Sequence, residues 1–245
     1  MARINSKGQL VGNIGPITNR VLNGVAIAQV KPTKGKMKQT TGTKESASEF
    51  GTANSIAKSI RLGLFPILQN HGDSYMHNRF ATSVYKATIS DNNQPKDNRR
   101  LIDGNPGLLK DFEFNNNSAY DNYSEIEISF NMNDQKELVI ISPESGNTEQ
   151  TNAMREASIC EIAYLVTVFN PKTYEVTYET IFKHSFSPGS SLIAAQEWKT
   201  LALPPNQLVF ITSAVFFIHQ NNLAGAISLN SKQLHPCKIV GVFRS

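Results

Sequence analysis

The chain has little cysteine and no long apolar run. Only Cys160 and Cys237 occur among its 245 residues, which is too few for a disulfide framework, and neither belongs to a Cys-x-x-Cys pair. Buried free thiols are therefore favoured over a single bridge between sheets. No stretch approaches the roughly 18–20 apolar residues that a membrane-spanning helix needs, so we predict no membrane span. The N-terminal residues lack the apolar segment of a signal peptide, so the sequence does not support general export. The cellular compartment is otherwise left open.

Acidic residues are missing from the first 43 positions. The basic residues of this region are Arg3, Lys7, Arg20, Lys31, Lys34, Lys36 and Lys38. The other 202 residues carry the remaining 17 basic residues against all 20 acidic ones, which gives them a net charge of −3. A cationic end on a mildly anionic chain indicates an acidic partner, such as a protein surface, nucleic acid or a second copy of the chain. These seven residues are the predicted partner-binding residues, although a solvated charge run in a flexible arm is the more usual meaning of Lys31, Lys34, Lys36 and Lys38.

Convincing motifs for catalysis or metal binding are also missing. His71 and His77, on either side of Asp73, are six residues apart rather than the four that a helical metal site prefers. Asp73 is therefore predicted to be a helix N-cap between two surface histidines. The segment His235-Pro236-Cys237 has only half of a zinc ligand set. We predict no metal, no cofactor and no enzymatic activity.

Two apolar segments near the N-terminus predict a β-hairpin. Residues 17–21 and 25–30 flank Leu22-Asn23-Gly24, and Asn-Gly is the favoured pair for a type I′ turn because both central residues need positive φ. Pro32 ends the second strand, since proline cannot donate a hydrogen bond to a sheet. A basic stretch follows as far as Thr43.

Two helices are predicted after the hairpin. The apolar stripe of the first is formed by Phe50, Ala53, Ala57, Ile60 and Leu64. These residues recur at steps of three and four, as on one face of a helix. Ser46 and Glu49 have the spacing of a capping box, with Thr43 as an alternative start one turn earlier. Pro66 ends this helix, and a second helix over residues 73–88 completes an αα-hairpin.

Beyond residue 105 the apolar period changes from 3.6 to 2, which is typical of strands. Residues 125–130 and 174–179 alternate strictly between apolar and polar side chains, so each is expected to have one buried face. Further strands are predicted near 109–114, 137–142, 161–169, 197–203, 207–218 and 238–243. Residues 170–173 suit a hairpin turn. About eight strands at this spacing predict an antiparallel β-sandwich of the fibronectin or immunoglobulin type.

Two of these strands, 162–169 and 208–218, are apolar on both faces and must be covered on both. One face belongs to the sandwich core. For the other face the helices are favoured over a second subunit, because they carry an apolar stripe of their own.

The predicted fold class is thus α+β, with a β-hairpin and a two-helix segment before a mainly antiparallel β-sandwich. We predict a basic arm with the hairpin at 1–43, a helical hairpin at 44–90, a linker at 91–107 and the sandwich domain at 108–245.

Short motifs along most of the chain match a known family. They are Val11-Gly12-Asn13-Ile14-Gly15, Asn23-Gly24, Val30-Lys31-Pro32, Arg61-Leu62-Gly63-Leu64, Tyr164-Leu165-Val166, Phe169-Asn170-Pro171 and Leu203-Pro204. In these motifs the chain resembles an uncharacterised family of Bacteroidota proteins of unknown function. It departs from that family at Val25-Ala26-Ile27-Ala28, where a larger aromatic or basic residue is expected. The resemblance implies a hairpin, helices and a C-terminal sandwich, and it implies no activity.

Two classes of function fit these features. The first is a non-enzymatic structural or interaction protein, a self-assembling or surface subunit whose hairpin adds to a sheet edge while its lysines contact an acidic neighbour. The alternative is a monomeric binding module for carbohydrate or nucleic acid. Trp198, Tyr174 and Tyr178 would supply an aromatic platform, but the phase of their strands predicts that they are buried. Nucleic acid would be bound mainly through its phosphates, because the basic residues are not interleaved with aromatic ones.

Overall fold

The computed structural model describes residues 1–22, 24–31, 40–90, 93–146, 152–188, 190, 192–221, 223 and 225–245, without the side chains of 97, 152 and 153. Three of the predicted partner-binding residues lie outside this part of the chain: Lys34, Lys36 and Lys38. The chain divides into an N-terminal unit, Met1–Lys44, and a larger unit, Glu45–Ser245, which we call the body. This division lies one residue from the predicted end of the basic arm.

The described part of the N-terminal unit contains a four-stranded antiparallel sheet with its strands in chain order. The strands are β1 (Arg3–Ile4), β2 (Leu10–Ile14), β3 (Ile17–Leu22) and β4 (Val25–Val30). The predicted hairpin is confirmed as β3 and β4, which pair along their full length. Gly15 and Pro16 form the tight turn between β2 and β3, where Gly15 has a φ of +55° that suits glycine.

The helices are α1 (Thr41–Gly63), α2 (Phe65–Leu68), α3 (Met76–Ile89) and the short α4 (Asn152–Glu156). Helix α1 begins earlier than predicted. The backbone N–H of Thr43 donates to Oγ1 of Thr40 at 3.2 Å, so Thr40 caps the helix and the predicted capping residue Ser46 lies inside it. Pro66 lies in the first turn of α2 and separates α1 from it, as predicted.

Asp73 does not cap α3, which corrects the prediction. Its carboxylate accepts hydrogen bonds from the backbone N–H groups of Tyr75 (2.8 Å) and Asn116 (3.0 Å) and pairs with the guanidinium of Arg79. Burial acts to raise the pKa of this carboxyl, but the hydrogen bonds outweigh it and the pKa is lowered. Asp73 therefore ties the loop before α3 to the segment around Asn116.

The strands of the body form a larger and a smaller sheet, with an additional two-stranded ladder. They are β5 (Ser129–Met132), β6 (Glu137–Ser142), β7 (Ser145–Gly146), β8 (Ile159–Phe169), β9 (Val176–Phe186), β10 (Leu192–Ile193), β11 (Gln196–Ala202), β12 (Leu208–Asn221), β13 (Gly225–Ser228) and β14 (Cys237–Arg244). Among the described strands, the large sheet has the order β13-β12-β8-β9 with β14 also paired to β12, the smaller sheet has the order β11-β6-β5, and β10 pairs with β7. All of these pairs are antiparallel. The fold class is therefore α+β and rich in sheet, and its packed sheets are consistent with a β-sandwich.

Three strand predictions need correction, and a positive φ accounts for two of them. Residues 109–114 form no strand because Asp111 has a φ of +63°; within this segment Glu113 makes only an isolated bridge. Tyr174 has a φ of +57°, so β9 begins two residues later than the alternation suggested. In the alternating segment 125–130 the ladder begins only at Ser129.

The two strands predicted to be apolar on both faces are covered on both faces. On one side of the large sheet, Leu165 of β8 and Phe210 of β12 pack in one cluster with residues of α1 and α3. On the other side, Val166 and Ile211 pack with Leu138 and other residues of the smaller sheet. The prediction that the helices cover the second face is confirmed.

The segment between the helices and the sheets is also packed into the body. Leu101 is fully buried in the cluster under the helices, and its N–H donates to the hydroxyl of Tyr174 at 3.1 Å. Arg99 donates to the carboxylate of Glu49 in α1 at 2.8 Å. Helices, connecting segment and large sheet therefore share one core.

Cys160 and Cys237 are both buried and free, as predicted. Among the described helices, none combines the length and the apolar character needed to cross a membrane.

Candidate functional site

The N-terminal sheet has one predominantly apolar face. Directly opposed residues of an antiparallel pair point to the same face, so the pairs Ile4–Leu10, Ile14–Ile17 and Ile17–Val30 place their side chains together. Alternation along each strand completes this set, which we call face A. Face A consists of Ile4, Leu10, Gly12, Ile14, Ile17, Asn19, Val21, Ala26, Ala28 and Val30. The only polar side chain of face A is that of Asn19.

The opposite face, face B, is mixed and cationic. It consists of Arg3, Val11, Asn13, Thr18, Arg20, Leu22, Val25, Ile27 and Gln29, by the same registers. Arg3 is opposite Val11, and continuing the β2–β3 register by one residue places Arg20 on the other side of Val11. The two arginines thus lie two strands apart in one row, at a backbone separation of about 10 Å.

Most of the apolar side chains of face A are exposed in the part of the chain that the structure describes. No described residue of the N-terminal unit is buried. Ile4 is 70% exposed, Ile14 is 52% exposed and Val30 is 73% exposed. Antiparallel sheets with one apolar face normally pack that face on a core, and contiguous exposed apolar patches mark interaction sites. Face A is therefore the candidate site.

Close backbone contacts hold the strands that carry face A. Gly12 has a φ of +112°, and a Cβ at this position would lie 2.5 Å from the carbonyl oxygen of Met1. Only glycine permits this approach of the N-terminal residues to β2. In the turn between β1 and β2, Oδ1 of Asn5 accepts hydrogen bonds from the N–H groups of Lys7 (3.0 Å) and Gln9 (2.9 Å). The sheet is thus shaped by its own turns in the absence of a core.

The described basic residues predicted to bind a partner do not form a single cluster. Arg3 and Arg20 share face B, Lys7 lies in the turn between β1 and β2, and Lys31 directly follows β4. All four are exposed. Since the first 44 residues contain no acidic residue, none of them has an anionic partner within the N-terminal unit.

Sequence reasoning missed β1 and β2, and with them half of the strands that form face A. A signal for β2 was present, because Leu10 and Ile14 are in phase on either side of Gly12 and the pair Gly15-Pro16 is typical of a turn. No comparable signal marks β1, since two residues are too few to show a period.

A cleft of about 520 Å³ lies in the body beside Lys238. The ammonium of Lys238 is 2.6 Å from a carboxylate oxygen of Asp121 and 3.8 Å from one of Asp111. Nearby, Glu113 accepts hydrogen bonds from the N–H of Tyr120 at 3.1 and 3.2 Å, and burial raises the pKa of its carboxyl to about 7. Lys238 in this cleft is thus paired with acidic side chains, and the lining has four acidic residues against two basic ones: Asp111, Asp121, Glu125 and Glu127 against Lys110 and Lys238.

His235, Cys160 and Cys237 are fully buried in the body. His235 is buried between the carbonyl oxygen of Ile67 (2.9 Å from Nε2) and the side chain of Asn230 (3.0 Å from Nδ1), and burial lowers its pKa to about 4. Burial raises the pKa of the Cys160 thiol to about 11 and that of Cys237 well above its usual value, so both stay protonated and unreactive at neutral pH. Among the described residues, no group of three or more His, Cys, Asp or Glu side chains is placed to hold a metal ion.

No family model matches this chain. No curated protein and no solved structure matches it either. The apolar face of the N-terminal sheet is therefore identified from the geometry of the chain itself.

Proposed function

We propose that the protein is a non-enzymatic interaction subunit that assembles with further copies of itself through face A. The observation that carries this proposal is an apolar face of four strands in a unit where no described residue is buried. Covering such a face gains roughly 25 cal/mol for each Å² of apolar surface removed from water. A partner that covers face A thus supplies the core that the sheet lacks.

Charge favours the body of a second copy as that partner. The N-terminal unit carries eight basic and no acidic residues, which leaves the body with 16 of the 24 basic residues against all 20 acidic ones, a net charge of −4. Docking one N-terminal unit on another would bring two strongly cationic units together, whereas docking on a body is attractive. Such a head-to-tail contact is heterologous, so it propagates into a ring or a filament.

A monomeric module that binds nucleic acid is the alternative, and the row of Arg3 and Arg20 across face B supports it. The carbohydrate alternative has less support, because the aromatic side chains that would form its platform pack into the body. Trp198 stacks on Phe182 with ring centroids 5.8 Å apart, and Tyr174 is buried. Phosphate binding through face B would weaken steeply with salt, whereas docking of face A would depend on salt far less.

We also propose that the packed sheets of the body are a sandwich of the fibronectin or immunoglobulin type, and that the chain belongs to the Bacteroidota family that it resembles. The antiparallel pairing and the inward alternation of β6, β8 and β12 support the first proposal. An experimental structure compared with such domains tests it. An alignment with family members tests the second, with glycine required at the position of Gly12.

Two adjacent residues of β4 provide a matched test of the assembly proposal. Val30 points to face A and Gln29 to face B, and both are exposed. The substitutions Val30→Lys and Gln29→Lys therefore add the same charge to opposite faces of one strand. In light scattering, we expect the wild-type chain to have a mass above the 27.1 kDa of its monomer. Gln29→Lys should have the same mass as the wild type, and Val30→Lys should have a lower mass.

Deletion of residues 1–31 should have the same effect as Val30→Lys. The body is expected to stay folded, because all described residues that are buried lie at position 49 or beyond. A wild-type chain that is monomeric at every protein and salt concentration would contradict the proposal, as would equal masses for the two lysine variants.

A further inference from the structure

Strand β9 is an edge of the large sheet as the described strands define it. It pairs with β8 from Val176 to Phe186, and no other described strand pairs with it. The ladder is regular from Tyr178 onward, and its one irregularity lies near Thr177. The strand has 11 residues and contains neither proline nor glycine, although natural edge strands are usually short, bulged or covered. The backbone groups on its outer side, which no described strand uses, can therefore accept another strand.

The sequence of β9 is complementary to itself when it is reversed. In an antiparallel pair of two copies centred on Ile181, each residue faces the one equally distant on the other side of Ile181. Glu179 of each copy then faces Lys183 of the other, so two opposite-charge pairs form. Ile181 faces Ile181 of the second copy, and Tyr178 faces His184. All 11 residues of the strand take part, because Ile181 is its middle residue.

Neighbouring registers are less favourable. Outward-pointing N–H and C=O groups occur on every second residue of an edge strand. Two identical strands can therefore pair only in registers whose centre is a residue, not the bond between two residues. Centring the pair on Thr180 or Phe182 removes both Glu–Lys pairs. Centring it on Glu179 or Lys183 places like charges directly opposite, which is destabilising.

Three of the side chains that would meet across this contact are exposed, namely Glu179, Ile181 and Lys183, whereas His184 is buried. Glu179, Ile181 and Lys183 share the face of Leu165, on which the helices pack, yet Ile181 is 40% exposed. The ammonium of Lys183 is 2.8 Å from a carboxylate oxygen of Glu161, while its side chain remains 53% exposed. On the opposite face of β9, Phe182 stacks on Trp198. The edge is thus held in place before any partner arrives, which lowers the entropic cost of pairing.

We infer that β9 pairs with β9 of a second copy in the antiparallel register centred on Ile181. The two large sheets then join across a two-fold axis, with roughly one backbone hydrogen bond per residue of the pair. This contact uses a different surface from face A and goes beyond the proposed function. If both contacts form, the two-fold contact joins chains in pairs and the head-to-tail contact links the pairs.

Charge reversal in the full-length chain tests the register. Glu179→Lys places two lysine pairs across the axis, and Lys183→Glu places two glutamate pairs there. We expect each variant alone to dimerise about 10- to 100-fold more weakly than the parent chain. An equimolar mixture of Glu179→Lys and Lys183→Glu should recover the association. In a mixed pair, each lysine at position 179 or 183 of one chain faces a glutamate of the other chain. The double variant E179K/K183E should recover it without mixing.

Sedimentation of all chains in a Val30→Lys background separates this contact from face A. Glu175→Lys, which makes the same charge change in the exposed turn before β9, is the matched control and should dimerise like the parent. Thermal unfolding confirms that each variant is folded, which matters for Lys183→Glu because it places two carboxylates together at Glu161. The inference is overturned if the parent is monomeric, if Glu179→Lys and Glu175→Lys behave alike, or if mixing restores nothing. In each of those cases the comparison of Val30→Lys with Gln29→Lys still decides the role of face A.

Discussion

The N-terminal sheet and the large sheet of the body are built from similar strands in opposite surroundings. In β12, Phe210 and Ile211 point to opposite faces and both are fully buried, because the helices cover one face and the smaller sheet covers the other. Strand β4 alternates in the same way, yet Val30 at its end is 73% exposed. Alternation thus shows which residues share a face, whereas coverage depends on what the rest of the chain places against that face.

The two regions also differ in charge. The N-terminal unit combines its uncovered face with eight basic residues, while the body combines a complete core with a net charge of −4. Under the proposed assembly, the apolar surface and the positive charge of the N-terminal unit both meet the body of a neighbouring copy. The comparison therefore predicts that substitutions in the buried core of the body change stability, whereas substitutions on face A change association.

Truncating one apolar residue in each sheet should show the largest difference. Phe210 is fully buried, with its ring 5.5 Å from that of Phe169, so Phe210→Ala is expected to lower the free energy of unfolding by about 3–5 kcal/mol. Ile14→Ala on face A should change it by less than about 0.5 kcal/mol. Urea unfolding followed by the fluorescence of Trp198, the single tryptophan, measures both. A loss of similar size for Ile14→Ala would show that face A is covered within the chain.

Much of the body was predictable because its pattern is strong. Strands β8 and β12 are long and apolar on both faces, which requires two covering layers whatever the details of the connections. The stripe containing Ile60 and Leu64 repeats over several turns, so α1 could be recognised even though its start at Thr41 was misplaced. The sequence pattern offers Ser46 and Thr43 for that start, whereas in the structure Thr40 caps the helix.

The residues of face A could not be predicted from the sequence. The composition of face A depends on the register of four strands, and a shift of one residue in any strand would exchange the faces. The sequence showed that basic residues are concentrated at the N-terminal end. It could not show that Arg3 and Arg20 align across the sheet while Lys7 lies in a turn. The proposed pairing of Glu179 with Lys183 of a second copy likewise could be inferred only once β9 is known to be an edge.

The substitution Glu113→Gln in the body should have the next largest effect on the free energy of unfolding, and this effect should depend on pH. The folded-state pKa of about 7 for Glu113 lies above the usual 4.5, so between these values the folded state retains a proton that the unfolded state has lost. Stability from this group is therefore full below about pH 4.5 and decreases as the pH rises through 7. Glu113→Gln should remove this decrease and raise the free energy of unfolding at pH 8 by about 1–3 kcal/mol.

Urea unfolding at pH 5 and pH 8 measures that effect. Glu125→Gln is the matched control, because it removes the same charge at an exposed position. This substitution should leave the difference in unfolding free energy between pH 5 and pH 8 as it is in the wild type. If Glu113→Gln follows the wild-type pH profile, the Glu113 carboxyl titrates normally and the body owes none of its pH dependence to it.

The smallest effect is expected where the two units join. Thr40 caps α1, the helix that runs from the N-terminal unit into the body, and its hydroxyl oxygen accepts the N–H of Thr43. Thr40→Ala should cost about 0.5–1 kcal/mol of local helix stability. Because no described residue before position 49 is buried, this loss should accelerate amide exchange in the first turn of α1 and leave unfolding of the body unchanged. A matching drop in the stability of the body would mean that the first turn of α1 unfolds together with the core, and that the two units are less independent than their contrast in burial suggests.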